Sequence, residues 1–236
     1  LIVVYLTKII GWQHVWLVAS LSILIFFLPL LFLSLQDQNI RHSNFTESIK
    51  DNEESKRWKT REVVVDKKFY VYLPLSIATS FISTGLTFHQ IFIINQKGWT
   101  MDMLGSSYVL LGIFSIIGLI FGGPIIDKYN TKKIILFALL PLFLGVLTLI
   151  FFDSYFSMLV YMSLLGLNLG ITAPFIGSLW AELYGLESLG SVKALLHACG
   201  VFASALSPVI FGYIIDMGFG IVVISMISLT IIIVST

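Results

Sequence analysis

Charge is what this sequence has least of. Lys, Arg, Asp and Glu together supply 11% of its 236 residues, whereas 57% are hydrophobic. Soluble domains carry about 25% charged residues, so the composition indicates a membrane protein. The 14 basic and 13 acidic residues leave a formal net charge of +1. The net charge of the chain therefore gives no indication of a nucleic-acid partner.

Cysteine is nearly absent as well. Cys199 is the single cysteine and lies within an apolar run, so the chain cannot form an internal disulfide and gives no indication of redox compartment. No secretory signal with a cleavage site precedes the apolar runs. The sequence also lacks a Gly-x-x-x-x-Gly-Lys loop for ATP phosphates, and we expect neither a cofactor nor a bound metal.

Long apolar runs make up most of the chain. A helix needs about 20 apolar residues to cross the hydrocarbon core, and seven runs approach that length. They cover residues 14–35, 69–94, 105–126, 133–152, 155–181, 192–215 and 219–236. Residues 1–7 are typical of the tail of another helix, and both chain ends lie in apolar sequence, so we expect a piece of a longer protein. The predicted fold class is an all-α membrane protein.

The one plainly polar segment is residues 36–68, which contains eight Lys or Arg and seven acidic residues. It has too few apolar residues to build a core, so its composition predicts a mobile linker. If this linker is cytoplasmic and the spans alternate in direction, twelve Lys or Arg lie inside and two outside. Such a bias is typical of the positive-inside orientation of multi-pass membrane proteins.

A charged turn, "GGPIIDKYNTKK" at residues 122–133, joins two of the apolar runs. Its Gly-x-x-x-Asp core, Gly123 to Asp127, recurs as Gly212 to Asp216 at the end of a later run. In the alternating topology the two aspartates face opposite sides of the membrane. This arrangement is typical of inverted-topology repeats.

The charged turn resembles the signature loop of the major facilitator superfamily. The matching positions are Gly123, Asp127, Lys128, Lys132 and Lys133, and Asn130 stands where the family prefers glycine. Asn enters the left-handed region more readily than most residues, so the turn is preserved. The stretches 84–99 and 179–216 are similar to bacterial members of the monocarboxylate and oxalate–formate branch.

This resemblance implies a major-facilitator-type helical bundle with about seven transmembrane helices, the sixth to twelfth of twelve. Residues 1–35 would end the N-terminal half, residues 36–68 would form the cytoplasmic linker, and residues 69–236 would form the C-terminal six-helix half with a truncated last helix. The implied localisation is a bacterial inner membrane. The missing N-terminal half of the same chain would be a partner, together with the lipid bilayer.

The implied function is a secondary transporter that moves a small solute by alternating access, with a monocarboxylate or other organic anion as substrate and protons as coupling ion. A non-transporting sensor or receptor on the same fold is the alternative. An intramembrane enzyme is disfavoured, because His197 and Ser204 are about 10 Å apart along a straight helix. No charged residue lies near the middle of any predicted span, which argues against an anionic substrate.

The charged turn also suggests a cytoplasmic latch. An aspartate at a helix end in lipid needs a partner, and a neighbouring helix N-terminus or a lysine can provide it. We expect Asp127, Lys128 or Lys132, and Glu182 to form this latch, with Lys193 joining from the next helix. For Lys132 and Lys133, ordinary anchoring at the cytoplasmic surface is the alternative.

Polar side chains within spans are costly and usually face a cavity or another helix. In run 69–94 they form a stripe on one helical face. This stripe comprises Ser76, Ser80, Ser83, Thr87 and Gln90, with Thr84 at its flank. It predicts a substrate-cavity wall, and hydrogen bonding between helices is the alternative. His89 projects almost opposite the stripe and would face the substrate only if the helix were broken there.

Two further runs carry candidate substrate residues. In run 155–181, Asn168 and Thr172 lie opposite a glycine face, so they are predicted to look into the cavity, with a buried interhelical hydrogen bond as the alternative. In run 192–215, His197 and Ser204 share a stripe with Lys193. A neutral imidazole at His197 could take up a proton near physiological pH, and a structural histidine is the alternative.

Overall fold

The computed structural model describes residues 2–36, 58–129 and 137–236, and the regular elements of these residues are α-helices. We number them α1 to α9 in chain order. They are α1 (Ile2–Gln36), α2 (Thr60–Val65), α3 (Lys67–Phe88), α4 (Gln90–Lys97), α5 (Met101–Lys128), α6 (Leu140–Phe151), α7 (Tyr155–Tyr184), α8 (Leu189–Asp216) and α9 (Ile221–Ser235). The chain divides into two compact units, residues 1–56 and 57–236.

The first unit contains α1, which consists of two helical pieces that meet at Gly11. The backbone of Gly11 has φ 76° and ψ 157°, a conformation that only glycine adopts at little cost. The sequence likewise predicts a helix tail over residues 1–7 and a separate span from residue 14. The stretch Ile9–Phe32, which includes Gly11, has a mean hydropathy of 2.6 and is long enough to cross a membrane.

Five helical stretches in the described residues are long and apolar enough to span a bilayer, namely Ile9–Phe32, Lys67–Phe88, Met101–Ile126, Tyr155–Tyr184 and Leu189–Asp216. α6 and α9 are apolar but shorter. The sequence predicts that the α6 span begins at residue 133, whereas the helix begins at Leu140, and residues 130–136 lie outside the described part. Pro141 lies in the first turn of α6, where its missing N–H leaves no hydrogen bond unmade.

The run 69–94 is not a single helix. It breaks at His89, whose backbone (φ −92°, ψ 24°) ends α3 and begins α4. The second piece then ends at Gly98, which adopts the left-handed conformation with φ 67°. The chain can therefore turn sharply before Thr100, whose Oγ1 accepts a hydrogen bond from the Met103 N–H and caps α5.

Hydrogen bonds between distant segments define two ends of the second unit. At the end that the sequence predicts to be cytoplasmic, called the inner end below, the Trp58 N–H donates to Ser188 Oγ (2.7 Å) and the Tyr184 hydroxyl donates to Asp66 (3.2 Å). At the opposite end, called the outer end, the Ile221 N–H donates to Gln96 Oε1 (2.7 Å). Within this unit, α3 and α8 therefore run in the direction opposite to α7 and α9.

Glycines allow α5 and α7 to pack backbone against backbone. A Cβ atom on Gly166 would lie 2.2 Å from the Leu111 carbonyl oxygen, and one on Gly170 would lie 2.1 Å from the Ser115 oxygen. Gly118 meets α7 in the same way, with 2.7 Å to the Leu167 oxygen. Small residues at such spacings are how membrane helices approach closely, since lipid supplies no hydrophobic force between them.

A smaller cluster of buried side chains closes the inner end. It comprises Val63, Phe69, Trp180, Tyr184, Val192 and Leu196. The rings of Trp180 and Tyr184 stack with centroids 5.8 Å apart, and Phe69 lies 5.4 Å from Trp180. This cluster fixes the inner parts of α3, α7 and α8 around the space described next.

Candidate functional site

A cavity of about 790 Å³ lies between α3, α7 and α8. Its wall combines hydroxyl groups from α3, small and apolar residues from α7, and a polar face of α8. The lining residues that carry polar groups are Ser76, Thr79, Ser80, Ser83, Thr84, Trp180, Lys193, His197 and Ser204. No Asp or Glu is among the described residues that line it.

The α3 part of the wall is the hydroxyl stripe predicted from the sequence. Ser83 and Thr84 line both this cavity and an adjoining one of about 450 Å³, which Thr87 also lines. The Ser83 hydroxyl donates to the Thr79 carbonyl (2.5 Å), within its own helix. A hydroxyl bonded in this way keeps its oxygen lone pairs for a solute.

Trp180 closes the inner side of the cavity. It is fully buried, and its indole N–H donates to Ser76 Oγ (3.0 Å). The Ser76 hydroxyl in turn donates to the Tyr72 carbonyl (3.1 Å). Ser76 of the α3 stripe thus holds α7 against α3. This is the hydrogen bonding between helices that the sequence leaves as the alternative for the stripe.

Lys193 belongs to this cavity wall. It lies on α8 with His197 and Ser204, and all three line the cavity. A Cβ atom on Gly177 would lie 3.9 Å from the Lys193 Nζ, so the absent side chain leaves room for the ammonium group beside α7. Since Gly177 precedes Tyr184 by seven residues, the ammonium lies about 10 Å from the inner end of α7.

His89 lies outside the cavity. The helix does break at this residue, but its imidazole Nε2 is 2.9 Å from the Pro208 carbonyl oxygen of α8. Gly212 provides the space, because a Cβ atom there would lie 3.4 Å from the ring. The ring is therefore directed away from the hydroxyl stripe, and the structure assigns His89 a packing contact between α3 and α8.

Gln90 is also directed away from the cavity. It is buried, with 6% of its surface exposed. Its Oε1 accepts a hydrogen bond from the Tyr108 hydroxyl (2.9 Å), and its amide N–H lies 3.7 Å from the Met162 sulfur. The break at His89 changes the phase of the helix, which is why Gln90 leaves the face shared by Ser83 and Thr87.

Asn168 and Thr172 lie in the helix-packing core and line neither cavity. Asn168 is fully buried, its Oδ1 accepts from the Thr79 hydroxyl (3.2 Å) and its Nδ2 donates to the Ala138 carbonyl (2.9 Å). The Thr172 hydroxyl donates to the Asn168 carbonyl (2.6 Å). The sequence predicts a cavity-facing pair, whereas Asn168 makes the interhelical contacts of the alternative and Thr172 bonds within its own helix.

The predicted cytoplasmic latch is only partly within the described residues. Gly123 and Asp127 lie in the last two turns of α5, while Lys132 and Lys133 lie outside the described part. The Lys128 ammonium lies 5.4 Å from the centre of the Tyr129 ring, and Glu182 is exposed near the end of α7. Among the described residues, neither Lys128 nor Lys193 forms an ion pair with Glu182.

Sequence reasoning missed Trp180 as part of the cavity wall. It places Lys193 both in a stripe with His197 and Ser204 and in the cytoplasmic latch, and in the structure these three residues line the cavity together. The spacing of Lys193 and His197, four residues apart on one helix face, is the signal for this arrangement. In the described residues, no three His, Cys, Asp or Glu side chains come together as a candidate metal site.

Comparison with known proteins identifies a protein family that matches this chain. Residues 1–208 match the profile of the Major Facilitator Superfamily. A curated relative, a D-xylose transporter from Levilactobacillus brevis, is 28% identical over 102 residues, which cover 43% of this chain and 21% of the relative. The matched stretch thus spans about a fifth of that relative's length.

Proposed function

Because this chain belongs to the Major Facilitator Superfamily, we propose that it is part of a secondary transporter that moves a small polar solute by alternating access. The cavity between α3, α7 and α8 forms one wall of the transport path. Further helices of the same protein, preceding those described, supply the opposite wall. We place this multi-pass protein in a bacterial cytoplasmic membrane, with the inner end defined above facing the cytoplasm.

The proposed substrate is a small organic anion such as a monocarboxylate. The observation that carries this proposal is the placement of the Lys193 ammonium in a cavity whose described lining includes no carboxylate. Lys193 is exposed to the cavity, and a cation without a fixed counter-charge favours an anionic ligand, because hydrogen bonds to an ionised group are stronger than neutral ones. The scarcity of charge in the spans is therefore not an argument against an anion, because the lysine side chain reaches in from the inner end.

His197 gives the cavity wall an imidazole, a group that can carry a proton. It lies one helical turn from Lys193, and both face the cavity. A proton on His197 adds a second positive charge beside the bound anion, so proton and anion binding favour each other. We propose proton–anion symport on this basis, with the Ser80, Ser83 and Thr84 hydroxyls orienting the solute.

A pentose is the second candidate substrate. The relative described above is named a D-xylose transporter, and the cavity wall is rich in hydroxyl groups. Sugar hydroxyls both donate and accept hydrogen bonds, and serine and threonine can satisfy both roles. For a neutral sugar, however, the Lys193 charge would contribute little.

The experiment measures uptake by the full-length protein in proteoliposomes. Labelled monocarboxylates, a dicarboxylate and D-xylose are supplied with and without an inward proton gradient. We expect gradient-stimulated uptake of a carboxylate. Lys193→Gln should raise its KM by about tenfold or more, since a charge-assisted hydrogen bond contributes about 1.5–3 kcal/mol, and Lys193→Arg should retain most of the affinity.

Asp216→Asn is the matched control. It removes a charge from the same helix, but Asp216 is exposed at the outer end of α8 and does not line the cavity, so we expect KM to change less than twofold. Uptake of D-xylose that is unaffected by Lys193→Gln would favour the pentose. Absence of any uptake by correctly folded protein would favour a sensor on the same fold.

A further inference from the structure

The inner end of the second unit carries a cationic surface that the transport proposal does not use. It consists of Lys59, Arg61, Lys67 and Lys68, which we call the basic patch. All four side chains are exposed, and they occur within ten consecutive residues that contain α2 and the start of α3. The patch thus lies where the chain enters its first span of this unit.

The backbone that carries the basic patch is firmly attached to the bundle. Val63 of α2 is buried, with 1% of its surface exposed. The Trp58 N–H donates to Ser188 Oγ (2.7 Å), and the Trp58 and Tyr184 rings meet edge to face at 5.2 Å. The sequence predicts that this stretch belongs to a mobile linker, but these contacts hold it against the ends of α7 and α8.

The two acidic residues of the segment are engaged elsewhere. Glu62 accepts a hydrogen bond from the Lys59 N–H (3.1 Å), and Asp66 accepts from the Lys68 N–H (3.0 Å) and from the Tyr184 hydroxyl (3.2 Å). Within the described residues, none of the four patch cations pairs with a carboxylate. In the part of the chain that the structure describes, these four exposed cations therefore have no carboxylate partner.

Apolar side chains are exposed beside these cations. Val65 is 75% exposed and Val64 is 37% exposed, and Tyr70 and Val71, near the start of α3, are 55% and 67% exposed. Exposed valines next to lysines are unfavourable in water but are typical of a segment that lies in a membrane interface. As a membrane span, α3 would enter the bilayer just after these residues, and the long side chains of the cations could then reach the lipid phosphates.

We propose that the basic patch binds the headgroups of anionic phospholipids in the cytoplasmic leaflet, while Val64 and Val65 enter the acyl boundary. Juxtamembrane lysines and arginines are attracted to an anionic leaflet over about one Debye length. Binding anchors the end of the linker and holds α2 against the inner ends of α7 and α8. This inference is independent of the transported substrate, because the patch residues do not line the transport cavity.

The test measures the polarity of the surroundings of residue 65 directly. In full-length protein with Cys199→Ser, Val65→Cys is labelled with an environment-sensitive fluorophore and placed in nanodiscs of phosphatidylcholine, with or without phosphatidylglycerol. We expect phosphatidylglycerol to shift the emission to shorter wavelength and added salt to reverse the shift. Native mass spectrometry should show retained phosphatidylglycerol, with affinity falling about fivefold for each neutralised cation.

Two variants separate recognition from folding. The combination Lys59→Gln, Arg61→Gln, Lys67→Gln and Lys68→Gln should abolish the response, whereas Lys59→Arg, Lys67→Arg and Lys68→Arg together should retain it. Lys128→Gln removes an exposed cation of α5 outside the patch and should leave the response unchanged. Equal emission in both kinds of nanodisc, a response that survives the four neutralisations, or competition by soluble glycerol phosphate at similar concentration would each overturn the proposal.

Discussion

Asn168 shows how a single polar residue can organise a helix bundle in lipid. Its two amide atoms bond to Thr79 of α3 and to the Ala138 carbonyl just before α6. Three segments that are far apart in sequence are thus joined at one fully buried side chain. Such a group is stable in the core only because both its donor and its acceptor are paired.

We expect Asn168→Ala to lower the free energy of unfolding by about 1–3 kcal/mol, because it leaves the Thr79 hydroxyl and the Ala138 carbonyl without partners. Thermal unfolding of the purified protein in detergent measures this change. Transport KM of the folded fraction should be nearly unchanged, since Asn168 does not line the cavity.

Ser204→Ala is the control for this prediction. The Ser204 hydroxyl donates to the Val201 carbonyl in its own helix (2.8 Å) and lies in the cavity wall, so its removal should alter stability by less than about 0.5 kcal/mol. A larger loss of stability from Ser204→Ala than from Asn168→Ala would contradict the assignment of Asn168 to the packing core.

At the scale of elements, the pair α5 and α7 is held by backbone contact. Gly118, Gly166 and Gly170 face carbonyl and Cα atoms of the opposite helix at distances that exclude a methyl group. Gly177, also on α7, instead lies beside the Lys193 ammonium in the cavity wall. One helix therefore uses glycine for two purposes, close packing along α5 and space for a cation beside α8.

Gly170→Ala should disrupt this pair. The new Cβ would lie 2.1 Å from the Ser115 carbonyl oxygen, so the helices must separate, and we expect a loss of about 1–3 kcal/mol in unfolding free energy. Denaturant-dependent unfolding in mixed micelles, followed by circular dichroism, provides the measurement.

Gly112→Ala on α5 is the matched control. A Cβ atom there meets nothing within 4 Å, and alanine is favoured over glycine in a helix by about 1 kcal/mol. We therefore expect unchanged or slightly raised stability. If both substitutions destabilised the protein equally, the close approach of α5 and α7 would not be the cause.

At the scale of the whole molecule, an ion pair joins the outer-end loops. The Lys97 ammonium lies 2.5 Å from Asp153 Oδ1 and 3.1 Å from the Phe152 carbonyl oxygen, and the Trp99 indole N–H donates to the Asp153 carbonyl (2.7 Å). The lysine side chain is 4% exposed, while that of Asp153 is 77% exposed. By sequence, Lys97 is one of the two Lys or Arg residues predicted on the outer side.

A double-mutant cycle tests this ion pair. Asp153→Asn leaves the buried ammonium without its counter-charge, so we expect a loss of about 1–3 kcal/mol, less than for a fully buried pair because solvent screens the aspartate. In the Lys97→Met background, where no charge is left uncompensated, Asp153→Asn should cost much less. Additive effects of the two substitutions on thermal unfolding would show that the pair does not couple the loops.

The sequence by itself determined the membrane class, the alternating direction of the spans and most helix limits. These properties depend on local features, since apolar length acts along one helix, and capping residues such as Thr100 and proline at a helix start act within one turn. The hydroxyl stripe of Ser80, Ser83 and Thr84 was also readable, because helical periodicity holds up to the break at His89.

Only the tertiary structure decided which polar side chains meet the cavity. Periodicity shows that Asn168 lies opposite a glycine face of α7. It does not show whether the face that carries Asn168 lines a cavity or packs against two other helices. Lys193 is the reverse case. Its position near a helix end suggests a role in the latch, whereas it lines the cavity, with its ammonium beside Gly177. Both outcomes depend on neighbours distant in sequence, whose packing no local pattern specifies.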